Sequence, residues 1–155
     1  PSMKEIRAEI EIAAPAERVW RVLTEFGSFP DWNSFLAVPA GAATPGARLT
    51  VRITPVGRRP MTFRPIVEVA TPSRELRWLG RLGIPGLFDG RHRFEIIPLA
   101  DGRVRFVQSE EFRGILVGLV LGKGLTDATR AGFEHMNLAL RERAEAGTIP
   151  APPVA

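Results

Sequence analysis

The chain has 155 residues, 45% of them hydrophobic and 25% charged, with a net charge of +4, no cysteine and two histidines. This length and balance describe one globular domain with a sizeable core and exclude a disordered chain. Disulfides, thiolate catalysis and cysteine-held metals are excluded outright.

In chain order, Lys4, Glu5 and Arg7 open the sequence without the apolar core of a signal peptide, so a cytoplasmic location is expected. Ile6, Ala8, Ile10 and Ile12 alternate with Arg7, Glu9 and Glu11, the period-two pattern of a half-buried strand. A helix is expected from Ala14-Pro15-Ala16-Glu17, with Val19, Trp20, Val22, Leu23 and Phe26 as its inner face and Gly27 as its stop. Residues 28–35 form an aromatic-rich second helical turn. Strands follow over 36–40 and 48–55, separated by a Gly/Pro loop, and in the second Leu49, Val51 and Ile53 share a face. After a turn at 56–60, Met61, Phe63 and Val67 share one face of a further strand. Thr71-Pro72-Ser73 then turns the chain into a strand over 75–81 carrying Leu76 and Trp78, and 82–86 is a loop.

The last hairpin is the most informative part of the expected sheet. Phe88, His92, Phe94 and Ile96 share one face, and Val104, Phe106, Gln108, Glu110 and Phe112 share one face of the partner strand. Ala100-Asp101-Gly102 suits a three-residue hairpin loop with glycine in the left-handed position. Pairing Leu99 with Arg103 sets His92 opposite Glu110, Phe94 opposite Gln108 and Ile96 opposite Phe106. A slip of one residue would turn apolar side chains onto an arginine-rich outer face.

From 115 to 146 the apolar residues Leu125, Ala128, Gly132, Met136 and Ala139 recur at helical spacing, widened by Phe133 and Leu140. Lys123, Asp127, Arg130, Glu134, Asn137, Arg141 and Glu145 occupy the other face, with signs alternating three or four residues apart. One long amphipathic helix is expected, laid over a sheet. Its apolar start, 115–121, is too short to cross a bilayer, so no integral membrane segment is expected. Gly114, Gly118 and Gly122 stand four apart there, letting this end approach the sheet or leaving it mobile. The proline-rich residues 147–155 are expected to form a flexible tail on a single domain spanning 4–146.

The order of strand, two short helices, antiparallel strands and long helix resembles the helix-grip fold. The similarity is to the SRPBCC or START-like superfamily: START lipid-transfer domains, birch-pollen-allergen-like proteins, polyketide cyclases and coenzyme-Q-binding proteins, and within it the small bacterial members. It is carried by Ala14-Pro15-Ala16-Glu17 to Trp20, Phe29-Pro30-Asp31-Trp32-Asn33 with Phe35, Trp78, Gly90-x-His92-x-Phe94 with Phe112-x-Gly114, and Phe133-x-x-Met136-Asn137-x-x-Leu140. Where such relatives often have Trp-Asn-Pro-Phe, this chain has Trp32-Asn33-Ser34-Phe35. The resemblance implies an α+β fold, a curved antiparallel sheet wrapped around a long C-terminal helix with two short helices after the first strand. It also implies a deep cavity between sheet and helix, and it implies no particular reaction.

The inward faces assign Val51, Ile53, Met61, Phe63, Trp78, Phe94, Phe106, Phe112, Phe133 and Met136 to the wall of that cavity, or to a packed core if they fill one another's space. Among them stand His92, Gln108 and Glu110, polar groups that cost about 1–3 kcal/mol each if buried unpaired. They pair with one another, with water or with a ligand. Three readings follow: His92 and Glu110 anchor a ligand's polar group, they stabilise the hairpin near its rim, or they act as base and acid in a cyclase or dehydratase. His135 reads as a surface histidine. Trp32 and Phe35, with Leu82, Ile84, Leu87 and Phe88, read as an apolar rim at the cavity mouth or as plain packing. Metal-ligand spacing, a phosphate-binding loop and a nucleophile elbow are all missing, so no cofactor is expected. Basic residues come in ones and twos without interleaved aromatics, so nucleic acid is not expected either. The expected partner is a hydrophobic or amphipathic small molecule, lipid-like or polyketide-like. A partner-docking module with a filled core is the third class of reading.

Overall fold

The structure, a computed structural model, describes residues 2–146; the expected tail at 147–155 lies outside the described residues. The first strand, β1 (Ser2–Ile12), buries Ile6 and Ile12 completely, as its alternation requires. Pro15 then stands just before helix α1 (Ala16–Thr24) as its N-cap, in extended conformation. Val19, Val22 and Leu23 are buried while Trp20 is only half-buried. The helix does not run to Gly27: it stops at Thr24 and the chain tightens into a 3-10 helix, Phe26–Asp31, that turns Phe26 and Phe29 into the core. The Asn33 side chain accepts hydrogen bonds from the Phe35 and Leu36 amides at 3.1 and 2.9 Å. This Asx-type turn ends the helical segment, so the missing proline at 34 does not leave the turn unsupported.

Strands β2 (Leu36–Ala40), β3 (Thr50–Ile53) and β4 (Met61–Phe63) form a three-stranded sheet. The expected strand carrying Met61 to Val67 is therefore split. Pro65 has no N–H to give to a ladder, and the chain leaves β4 there and resumes as β5 (Ile66–Thr71) in a second sheet. That sheet adds β6 (Glu75–Arg81), β7 (Asp89–Pro98) and β8 (Val104–Gly114), in the order β1-β8-β7-β6-β5, every pair antiparallel. Hydrogen bonds from the Leu49 amide to the Pro65 carbonyl (2.8 Å) and from the Val67 amide to the Ala47 carbonyl (2.9 Å) tie the two sheets together. The hairpin register is the expected one: His92 faces Glu110, Phe94 faces Gln108 and Ile96 faces Phe106. Gly102 closes the turn at φ 84° while the Leu99 amide donates to the Arg103 carbonyl.

The outer face of the large sheet is a charged lattice. Arg77 and Arg93 lie directly opposite each other, and the repulsion is offset by Glu75, which Arg93 reaches at 2.9 Å, and by Glu68, which Arg91 and Arg77 reach at 2.7 and 3.2 Å. The hydrogen bond from Arg91, then the charges of Arg91 and Arg77, hold the Glu68 carboxyl below its ordinary pKa against the opposing effect of burial.

The C-terminal helical segment differs from the single helix expected from 115 onward. A short helix α2 (Val117–Val120) gives way at Leu121 and Gly122 to α3 (Lys123–Ala146). Glycines at 118 and 122 weaken the helix, and Leu121 turns into the core, 4% exposed. The buried stripe of α3 is Thr126, Thr129, Gly132, Phe133, Met136, Asn137, Leu140 and Ala144, so Asn137 belongs to the inner face, and Ala128 and Ala139 lie on its half-buried flanks. α3 crosses β1 and packs on α1. At Gly132 the Phe35 ring fills the space a Cβ would take.

Candidate functional site

A cavity of about 400 Å3 opens between the small sheet, β6 to β8, and the helical segment from α2 to the second turn of α3. Val51, Ile53, Met61 and Phe63 form one wall, Trp78 and Phe112 a second, and Val120, Leu121, Leu125 and Thr129 the roof; Arg81, Leu82 and Phe88 stand around them. Its floor is open because two glycines face each other across β6 and β7. Gly80 pairs with Gly90, and a Cβ added at Gly80 would meet nothing closer than Pro65 at 3.8 Å. Strand glycines of this kind mark places where another group approaches the backbone. Over Gly90 that group is Glu110, whose Oε2 lies 2.8 Å from the position a Cβ would occupy.

Of the residues expected at the wall, Val51, Ile53, Met61, Phe63, Trp78, Glu110 and Phe112 line the cavity. His92, Phe94, Phe106, Gln108, Phe133 and Met136 do not, and each is 0% exposed. Their half of the space beneath α3 is filled. Gly132 lets the helix come down onto Phe35, and Phe35 and Phe133 meet edge to face at 5.5 Å, so aromatic rings occupy what the expected wall left open. Of the rim and packing readings, Trp32 and Phe35 follow packing. Trp32 packs on Phe29 at 5.1 Å and Phe35 is buried, leaving Leu82 and Phe88 at the cavity with the exposed Ile84 nearby.

The three inward polar residues are joined by a fourth. His92 Nε2 lies 2.9 Å from Gln108 Oε1, and Gln108 Nε2 donates to Asn137 Oδ1 at 2.9 Å. The expected hydrogen-bonded pair of His92 and Glu110 is instead a contact of 3.3 Å between Nδ1 and Oε1, unaligned for a hydrogen bond. The imidazole is held in an aromatic cage, stacked on Phe94 at 4.5 Å with Trp78 at 5.4 Å and Phe133 at 5.2 Å. Helical spacing read from Leu125 and Ala128 placed Asn137 outside. The signal for the inner face was its position four residues after Phe133 and three before Leu140.

The chain of amides has a chemical consequence. With Gln108 Nε2 donating to Asn137, Gln108 Oε1 accepts from His92 Nε2–H, and Nδ1 faces Glu110 at 3.3 Å without a hydrogen bond. Turning both amides over makes Nε2 an acceptor and leaves Nδ1–H pointing at Glu110. Among the described residues Glu110 is the one acidic residue in the lining and Arg81 the one basic residue, and Arg81 is 3.5 Å from Asp89. The site thus offers a carboxylate able to accept a hydrogen bond, set in apolar surroundings.

Comparison with known proteins gives a consistent picture. A START superfamily protein from Mycobacterium smegmatis superposes with a TM-score of 0.69 at 19% identity, covering 92% of this chain and 97% of its own. The Zhui aromatase/cyclase from Streptomyces sp. R1128 gives 0.68 at 20% identity, covering 99% and 100%. A point mutant of norcoclaurine synthase from Thalictrum, solved with a transition-state analogue, gives 0.67 at 16%, covering 96% and 98%. At these identities the likeness establishes the helix-grip fold. A search of curated proteins finds no match. The sequence profile for polyketide cyclase/dehydrase and lipid transport proteins matches residues 3–145, and this chain belongs to that family.

Proposed function

We propose that the protein binds a hydrophobic or amphipathic small molecule, lipid-like or polyketide-like, in this cavity, with its polar group on Glu110. The observation that carries the reading is a space of about 400 Å3, within the range of small-molecule sites, whose mainly apolar wall holds a single carboxylate. The filled-core alternative is not supported by a space of that size. A second reading, a cyclase or dehydratase, draws on the 3.3 Å contact of His92 with Glu110. In it Glu110 touches substrate and His92 acts through it, since only Glu110 lines the cavity.

Native mass spectrometry of the purified protein, before and after solvent extraction, tests the first reading. A co-purifying hydrophobe that is absent from Gly80→Leu, a substitution filling the open floor, is the expected result. A ligand retained in Gly80→Leu puts the binding site elsewhere. Glu110→Gln separates the two readings: binding that survives with turnover abolished favours catalysis, and binding lost favours the anchor.

A further inference from the structure

The segment 115–121 carries no charge, and only part of it turns inward. Val117 and Leu121 are buried, whereas Ile115 and Leu119 are 70% and 82% exposed. Beside them the loop between β6 and β7 exposes Leu82 at 49% and Ile84 at 68%. Backbone hydrogen bonds from the Ile115 amide to the Gly86 carbonyl (3.1 Å) and from the Leu116 amide to the Leu87 carbonyl (3.0 Å) hold the two segments side by side. Scattered exposed leucines need no explanation, but large aliphatics on two joined segments mark a contact surface.

We propose that this face docks on an anionic lipid bilayer, with Ile84, Ile115 and Leu119 entering the interfacial layer. Two observations select a bilayer. Cationic side chains border the patch: Lys4 reaching the Leu121 carbonyl at 3.3 Å, Arg58 against Gly124, and, each also paired with an acid, Arg81 at its edge (Asp89, 3.5 Å) and Lys123 just past the α2 turn (Asp127, 2.6 Å). Their placement suits lipid phosphates around an inserted apolar tip. The patch is also continuous with the cavity, because Leu82 and Val120 belong to both. A second copy seated here would cover that opening, whereas a bilayer turns it toward a hydrophobic phase. The docking surface goes beyond the binding reading and is testable without a cavity ligand.

The test is co-sedimentation with vesicles of phosphatidylcholine alone and of phosphatidylcholine with phosphatidylglycerol, alongside analytical ultracentrifugation of the free protein. The expected result is binding to the anionic vesicles that weakens at high salt. In the double variant Ile115→Asp and Leu119→Asp it falls at least about tenfold, with the thermal melt unchanged because both positions are exposed. Gly80→Leu, which fills the cavity floor, keeps wild-type vesicle binding, so loss of the small-molecule reading leaves this one standing. Wild-type protein that ignores anionic vesicles overturns the proposal, as does an unaffected double variant. A dimer that the same substitutions convert to monomer, without vesicle binding, assigns the face to a second copy instead.

Discussion

Gln108→Leu cuts the buried polar chain at its middle. Gln108 makes two side-chain hydrogen bonds of 2.9 Å, to His92 and to Asn137, and all three residues are at most 2% exposed. Removing it orphans a ring nitrogen and an amide, each at about 1–3 kcal/mol, and the buried leucine returns about 1 kcal/mol, giving a net loss of about 3 kcal/mol. With a urea dependence of about 1.5 kcal/mol per molar, the unfolding midpoint drops by about 2 M. Asn137→Leu alone costs less, and in the double variant the Asn137 amide is no longer left without its partner. The double variant is therefore expected to be less damaged than the sum of the singles, by about 1–2 kcal/mol. A cycle additive to within about 0.5 kcal/mol, or a cost below about 1 kcal/mol for Gln108→Leu, would refute the argument that these residues act as one unit.

Three further outcomes are expected. Gly132→Ala gains about 1 kcal/mol of helix propensity but drives a methyl into Phe35 at a cost of about 1–3 kcal/mol, a net loss of up to about 2 kcal/mol; Gly118→Ala, with nothing within 4 Å, is neutral or stabilising, and urea unfolding compares the two. Gly90→Ala displaces the Glu110 carboxylate from its 2.8 Å position, which a flexible side chain accommodates for about 1 kcal/mol or less; a changed His92 imidazole 15N signal reports the shift, and an unchanged one contradicts it. Because the Glu68 carboxyl has a lowered pKa in the folded protein, its contribution to stability is complete above the ordinary carboxylate value and is lost as pH falls through the lowered one. Urea midpoints followed from about pH 5 to about pH 3 are expected to fall less steeply in Glu68→Gln than in wild type.

Much of this architecture was legible in the chain because it is encoded locally. Alternation about His92 and Glu110 says which side chains face inward, and Gly102 sets the loop that pins their register, so the hairpin was readable residue by residue. The order of elements and the motifs along them led to the helix-grip fold through their resemblance to a known superfamily. The split at Pro65 was visible only as a proline, since a strand that changes sheets depends on which partners are present on either side. Asn137 went to the wrong face because the phase of α3 is set by what it packs on. Phe35 at Gly132 fixes that phase, and the two residues lie far apart in sequence. Phe94, Phe106, Phe133 and Met136 are packed solid, while Val51, Phe63, Trp78 and Phe112 enclose open space. Periodicity determines the direction of a side chain. Whether the volume it points into is filled depends on close packing among elements distant in the chain, and only the tertiary structure decides that.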